Sequence, residues 1–353
     1  MPPFLSGSSD AGADAYARAG VDLAARNAYV EELKRITRTS RPEVLSEVGM
    51  FAALWRLAGY RDPVLAASTD GVGTKIRIAQ IMGRYDTIGQ DLVNHCVNDI
   101  LTTGAEPLFM LDYIGTSDLP MEQKVDVVAG MKQACTAAGC ELVGGETADM
   151  PDIYGSGDFD LVGFIVGVVE REDVISPARV QAGDALLALP SNGLQTNGYS
   201  LVRRIFGIGV GGDAAADRAA LDTYHEELGA TLGEALLAIH PPYLAALRPV
   251  LKRLHGVAHI TGGGIIDNVP RMLPEGLAAR LDAGSWNVLP IFRLIQERGD
   301  ISDFDMYHTF NMGLGMVIAV DPREADAIMA AMPGAMRVGV VERQRDERRV
   351  IVA

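Results

Sequence analysis

Cysteine is scarce in this sequence: Cys96, Cys135 and Cys140 are the only three among 353 residues. Three thiols cannot build a disulfide framework, and no second pair stands at zinc-ligand spacing. The chain therefore reads as the product of a reducing compartment, with its cysteines as small core residues. Basic residues are also short, since 31 Lys and Arg face 46 Asp and Glu for a formal charge of −15. Such a field repels nucleic acid and anionic membranes and excludes both as general partners. Long apolar runs are missing too. The best, Leu161 to Val169, falls far short of a membrane span, and Met1 to Asp10 has neither the basic nor the apolar region of an export signal. A cytoplasmic protein is expected.

What is present is ample core material, with 48% hydrophobic residues in a chain long enough for two domains. From Pro63 to Glu170, short apolar runs (Val64 to Ala67, Leu108 to Tyr113, Leu142 and Val143, Phe159 to Val169) alternate with helical stretches. A second alternation begins near Asp184 with Ala185 to Leu189 and continues through Val257 to Ile260, Leu314 to Val320 and Arg337 to Val341. Two α/β domains are expected, 1–170 and 171–353, with the breakers Ser176-Pro177 and Ala182-Gly183-Asp184 near the boundary. Gly207 to Asp222, rich in Gly, Ala and Asp, reads as a variable surface connection.

The densest chemical signal is Ser68-Thr69-Asp70-Gly71-Val72-Gly73-Thr74-Lys75. Glycines let backbone N–H groups approach phosphate oxygens, Lys75 offers a mobile positive charge, and Asp70 can hold Mg²⁺ against the same phosphates. A Gly-rich turn with an Asx cap explains the same residues equally well. It is not a Walker A loop, whose spacing and Lys-Ser/Thr ending are missing. Next comes a helix expected over Thr87 to Thr103, with Leu92, Val93, Cys96, Val97, Ile100 and Leu101 on its apolar side. Asp91, His95, Asn98 and Thr102 line the other side with Asp99 at its edge, either as a ligand-facing surface or, more commonly for such a pattern, as a solvated face. His95 by itself reads as a surface or core-rim histidine.

A third cluster, Gly144-Gly145-Glu146-Thr147-Ala148-Asp149-Met150-Pro151, is expected just after a short strand over Glu141 to Val143. Its acids can complete a hard-cation site, or the Gly-Gly-Glu-Thr phrase can simply start a helix. In the second half, Ser191 to Ser200 leads toward a basic helix start at Arg203 and Arg204 and can grip a phosphorylated substrate. His259-Ile260-Thr261-Gly262-Gly263-Gly264 precedes a helix expected near Ile265, as a phosphate nest or a tight strand-to-helix turn.

Taken in order, Ser-Thr-Asp-Gly-Val-Gly-Thr-Lys (68–75), Asp-Thr-Ile-Gly-Gln-Asp-Leu-Val (86–93), Val-Asn-Asp (97–99), Gly-Ala-Glu-Pro-Leu-Phe (104–109), Gly-Gly-Glu-Thr-Ala-Asp-Met-Pro (144–151), Asn-Gly-Tyr-Ser-Leu-Val-Arg (197–203) and Thr-Gly-Gly-Gly (261–264) resemble the phosphoribosylformylglycinamidine cyclo-ligase family. Ala15 to Asp22 resembles its opening motif, so the likeness covers nearly the whole chain. It implies an α/β (α+β) fold and a homodimer, with N-terminal domains that share a β-barrel, C-terminal α/β domains packed on them, and ATP near the dimer cleft. It also implies ring closure of formylglycinamidine ribonucleotide with ATP and Mg²⁺.

Carried over by motif, Asp70, Gly71, Gly73, Thr74, Lys75, Asp91, Asn98, Gly145 and Glu146 are the expected ATP contacts. Asp70, Asp99 and Glu146 are the expected metal ligands. Asn197, Tyr199, Ser200, Thr261, Gly262 and Gly263 are expected to hold substrate. Lys75, Asp99 and His259 are the expected catalytic residues, His259 as general base.

Three positions depart from the family pattern. Gln195 replaces a usual His, Ser46 to Phe51 keeps only Gly49 and Phe51 of a glycine-rich segment, and Asp149 replaces a usual Glu. Selenophosphate synthetase, thiamine-monophosphate kinase, the hydrogenase-maturation dehydratase and formylglycinamidine ribonucleotide synthetase are similar alternatives. No Cys precedes Cys96 and the tail Val350-Ile351-Val352-Ala353 has none, which argues against the first and third of these. A nucleotide or cation sensor without turnover is the alternative outside enzymes.

Overall fold

The computed structural model describes residues 23–46 and 49–353. The Ala15 to Asp22 phrase, and Glu47 and Val48 of the glycine-poor segment, lie outside the described residues.

Helix α1 (Leu23–Thr37) precedes strand β1 (Pro63–Gly71), helices α2 (Lys75–Met82) and α3 (Asp86–Leu101) and strand β2 (Glu106–Thr116). Helix α4 (Met121–Ala138) and strands β3 (Glu141–Asp149) and β4 (Phe159–Glu170) follow. The strands form one sheet in the order β1-β4-β2-β3, antiparallel except between β2 and β3. Along β4 the side chains alternate, with Leu161, Gly163 and Ile165 buried and Phe164 exposed, as a sheet covered on one face requires. Helix α3 supplies the cover. Its apolar stripe of Leu92, Val93, Cys96, Val97, Ile100 and Leu101 is fully buried, and α4 packs beside it.

The second unit runs β5 (Ala185–Pro190), α5 (Tyr199–Phe206), α6 (Ala214–Asp222), β6 (Tyr224–His225), β7 (Ala230–Thr231), α7 (Leu232–Leu236), α8 (Leu244–Leu247) and β8 (Leu254–His259). It continues through α9 (Gly264–Asn268), β9 (Leu277–Leu281), α10 (Pro290–Gly299), α11 (Asp303–Thr309), β10 (Leu314–Val320), α12 (Ala325–Ala331), β11 (Met336–Arg343) and β12 (Val350–Val352). Its six-stranded sheet has the order β12-β9-β11-β5-β10-β8, antiparallel except between β12 and β9. Every residue of β10 is buried, which explains its unbroken apolar run.

Three local expectations change. The Gly144-Gly145 pair lies inside β3, which runs on to Asp149, so no turn or helix start follows Val143. Arg203 and Arg204 sit in the last turn of α5, which begins at Tyr199. The second half of Gly207 to Asp222 is helix α6, whose first turn is capped by the Asp213 carboxylate accepting from the N–H groups of Ala215 and Ala216. All three cysteines are free and buried. Among the described residues no helix is long and apolar enough to cross a membrane.

Candidate active site

The site begins with strand alternation. Ser68 and Asp70 sit two apart on β1 and share a face, and α3 brings His95 and Asp99, four apart, up against them. Ser68 Oγ donates to Asp99 Oδ2 at 3.0 Å. Asp70 Oδ2 lies 2.9 Å from His95 Nε2, and Asp99 Oδ2 lies 3.8 Å from the same nitrogen. The second domain then closes the cluster. His259, the last residue of β8, places Nδ1 2.8 Å from Asp99 Oδ1 and Nε2 3.0 Å from His240 Nε2. Thr196 Oγ1 bridges His95 Nδ1 at 2.7 Å and His240 Nδ1 at 3.4 Å.

The polar side of α3 is a domain interface and not a solvated face. Asp91, His95 and Asn98 are at most 2% exposed. Asp91 Oδ1 accepts from His240 N at 2.7 Å, Asn94 Nδ2 donates to His240 O, and Asn98 accepts from Tyr243 N and donates to Pro241 O. Most of these partners are main-chain groups of the run from Ala238 to Tyr243 after α7. Lys75, at the start of α2, is fully buried beneath the turn it ends. Its Nζ lies 2.7 Å from Asp91 Oδ2 and donates to Ala238 O at 2.7 Å.

Charge and burial work against each other here. Burial lowers the His259 pKa, and the Asp99 hydrogen bond only partly restores it, so this imidazole stays neutral below its usual range. Burial, with His259, His95 and Lys75 nearby, drives His240 further down. Burial also lowers His95, but the Asp70 contact and the charges of Asp99, Asp70 and Asp91 outweigh it and leave that pKa raised. For Asp70 and Asp99 burial acts upward, and the contacts with His95 and His259 more than offset it, so both are held below the usual carboxylate value.

Beside Asp99 and His259 an interdomain cavity of about 340 Å³ opens, lined also by Ser68, Thr103, Asn268 and Arg271. Thr261, Gly262 and Gly263 form the turn after β8, whose Thr261 and Gly262 carbonyls accept from Asn268 Nδ2. Thr74 Oγ1 meets Ser200 Oγ at 3.0 Å across the domain junction, and Asn197 Nδ2 reaches Thr196 Oγ1. Gly73, exposed at φ +57°, keeps the Asp70-Gly71-Val72-Gly73-Thr74 turn open to an approaching ligand. Tyr199 faces inward, its hydroxyl donating to the Leu236 and Gln195 carbonyls, and Gln195 donates to Tyr243 Oη.

Gly145 and Glu146 are exposed on the edge strand β3. Register explains their separation from the cluster: Asp70 pairs with Gly163, Gly163 with Asp112, and Asp112 with Gly145. Three strand spacings amount to roughly 14 Å, so within one chain Glu146 does not meet Asp70 and Asp99. Asp149 pairs instead with Lys124 at 2.7 Å. Sequence reasoning missed His240 and Asn94, and took Thr196 only as part of the Ser191 to Ser200 run expected to grip substrate. Only the Pro241-Pro242 pair after His240 hints at an ordered crossing.

Against known families, residues 51–169 match the AIR synthase related protein N-terminal domain and residues 181–352 its C-terminal domain. The chain belongs to the AIR synthase related family. Over 321 residues it is 45% identical to phosphoribosylformylglycinamidine cyclo-ligase of Thermoanaerobacter pseudethanolicus, covering 90% of this chain and 94% of that one. The counterpart from Geobacillus kaustophilus is 48% identical over 318 residues, 89% of this chain and 90% of its own. Within the family, therefore, this chain is one of the phosphoribosylformylglycinamidine cyclo-ligases. The fold is shared with thiamine-monophosphate kinase of Stenotrophomonas maltophilia at a TM-score of 0.66 and 18% identity, over 92% of this chain and 95% of that one.

Proposed function

We propose that the protein closes the imidazole ring of formylglycinamidine ribonucleotide at the expense of ATP, giving aminoimidazole ribonucleotide, ADP and phosphate in purine biosynthesis. The observation that carries this reading is the convergence of Asp70, Asp99 and His259 from both domains, with Asp99 and His259 lining one interdomain cavity. Transfer of a phosphoryl group to the formyl oxygen turns a poor leaving group into phosphate, after which the amidine nitrogen attacks the same carbon. Such chemistry asks for positioning and charge neutralisation more than for a nucleophile.

The donor set fits Mg²⁺. Asp70 and Asp99 come together on either side of His95 Nε2, with the Ser68 hydroxyl bonded to Asp99, and these hard oxygens suit that ion, which would neutralise phosphate charge. The Asp70 to Thr74 turn cradles the triphosphate. Asn98 holds the Pro241 to Tyr243 crossing in place, and Asn197, Ser200, Thr261, Gly262 and Gly263 line the substrate side. Lys75 is committed to Asp91 and the Ala238 carbonyl, so its role is to hold this turn against α3. His259, neutral and donating its Nδ1–H to Asp99, keeps Nε2 as the atom that accepts the proton from the attacking nitrogen, in the place His240 Nε2 takes in the resting site.

Residues 1–170 serve as the nucleotide and dimerisation unit and 171–353 as the second domain, in a cytoplasmic homodimer. Support for the dimer comes from the sheet face turned away from α3, where Trp55 packs on Phe109 but, among the described residues, Leu65 stays 58% and Phe164 47% exposed, and from the sheet edges β1 and β3. Closure of two such sheets into a barrel gives Gly145 and Glu146 a route to the partner's nucleotide.

The test is ADP release from purified protein with Mg-ATP, with and without the formylglycinamidine nucleotide. Release that depends on that nucleotide, and a drop of about 100-fold in Asp99→Asn, is expected. ADP formation at the same rate without it defeats the reading.

A further inference from the structure

Two imidazoles stand where a pure magnesium site needs none. His95 Nε2, His259 Nδ1 and the Asp99 carboxylate bring their ligand atoms within 4.8 Å of one another. His95 Nε2 is buried without an aligned hydrogen-bond partner, pointing between Asp70 Oδ2 at 2.9 Å and Asp99 Oδ2 at 3.8 Å. We propose that His95, His259 and Asp99, with Asp70 beside them, form a binding site for a first-row transition cation of the Zn²⁺ type, filled without nucleotide. The inference shares its carboxylates with the Mg²⁺ reading above and rests on it to that extent.

Three features carry it. A tetrahedral centre with bonds of about 2.0–2.1 Å separates neighbouring ligand atoms by roughly 3.3 Å, and each histidine approaches one Asp99 oxygen near that separation, His259 Nδ1 at 2.8 Å from Oδ1 and His95 Nε2 at 3.8 Å from Oδ2. Imidazole nitrogen favours zinc, cobalt and iron, whereas Mg²⁺ takes oxygen and keeps water, so in the nucleotide-free protein, where no phosphate oxygens complete a Mg²⁺ shell, the nitrogens shift selectivity toward the transition cation. Finally, each histidine has its other nitrogen held from behind: His95 Nδ1 by Thr196 Oγ1 at 2.7 Å, and His259 Nε2 by His240 Nε2 at 3.0 Å. Such outer partners fix the ring angle and aim the inner nitrogen at the carboxylates, where the cation would replace the His259 Nδ1 to Asp99 hydrogen bond. They also give His240 and Thr196, which the ring-closure reading leaves idle, a positioning role.

The probe is Co²⁺, whose visible absorption reports low coordination with nitrogen ligands, titrated into the nucleotide-free full-length protein. Saturable absorption displaced by stoichiometric Zn²⁺ and retained in millimolar Mg²⁺ is expected. His95→Gln and His259→Gln should each weaken Co²⁺ binding about tenfold or more, and His240→Gln should weaken it with the inner ligands intact. Circular dichroism confirms that each variant is folded. If a variant does not fold, the competition in the unaltered protein decides.

Absence of Co²⁺ absorption, displacement by Mg²⁺ at matched concentration, or unchanged affinity in a folded His95→Gln overturns the proposal. ADP release on the same preparation separates the two readings. Substrate-dependent turnover without Co²⁺ binding removes only this one, and Co²⁺ binding without such turnover removes only the other.

Discussion

Neutralising Asp91 tests whether the domain junction hangs on one buried ion pair. Lys75 Nζ and Asp91 Oδ2 are 2.7 Å apart with both side chains fully buried, so Asp91→Asn leaves an ammonium with only the Ala238 carbonyl. An uncompensated buried charge costs about 3–5 kcal/mol, and release of the Lys75 proton trims this, because burial already pulls that pKa down. Asparagine keeps an acceptor for His240 N, so a loss of about 3 kcal/mol is expected. The double variant Lys75→Met with Asp91→Asn removes both charges and should recover more than half of it. Urea unfolding read by tryptophan fluorescence suits the measurement, since Trp55 lies in the first half of the chain and Trp286 in the second. An Asp91→Asn protein within about 0.5 kcal/mol of the parent, or a strictly additive double variant, refutes the reasoning.

Other outcomes follow from other parts of the fold. Burial pushes the Asp112 carboxyl up to about 7, so the folded state binds more protons than the unfolded one between the usual carboxylate range and pH 7, and stability falls as pH rises through that window. Asp112→Asn should abolish this slope and stabilise the protein by about 2 kcal/mol at pH 8 relative to pH 5, in urea titrations without nucleotide or divalent cation. A Cβ at Gly89 would lie 2.0 Å from the Val127 carbonyl oxygen, so Gly89→Ala should prise α3 from α4 and cost about 3 kcal/mol, seen as a lowered urea midpoint. For the proposed homodimer, Phe164→Glu on the exposed part of the sheet face should give a folded monomer by light scattering, and an unchanged dimer would place the interface elsewhere.

Helical spacing alone put Asp91, His95 and Asn98 on one side of α3, and the motif order pointed to Asp70 and Asp99 as partners. That much follows from local periodicity. What covers the polar side does not, because the run from Ala238 to Tyr243 lies some 140 residues away and presents mostly backbone, which has no sequence signature. Gly145 misled for a related reason. It read as a turn residue, yet a Cβ there would meet Asp112 Oδ1 at 2.2 Å, so the glycine answers a neighbouring strand. The separation of Glu146 from Asp70 follows from the strand order β1-β4-β2-β3, which depends on pairings between distant segments.

The crossing from Ala238 to Tyr243 has a consequence for traffic through the molecule. Lys75, Asp91, Asn94 and Asn98 grip its main chain, and at about 1 kcal/mol per bond these contacts resist opening by roughly 5 kcal/mol, leaving on the order of one molecule in several thousand ajar. On the proposed function, nucleotides would therefore enter and leave past a rigid waist, through the mouth of the cavity, without the two halves swinging apart. Because the grip is on backbone atoms, the side chains of that stretch other than His240 and Tyr243, which are buried and hydrogen-bonded, are free to diverge while the waist keeps its shape.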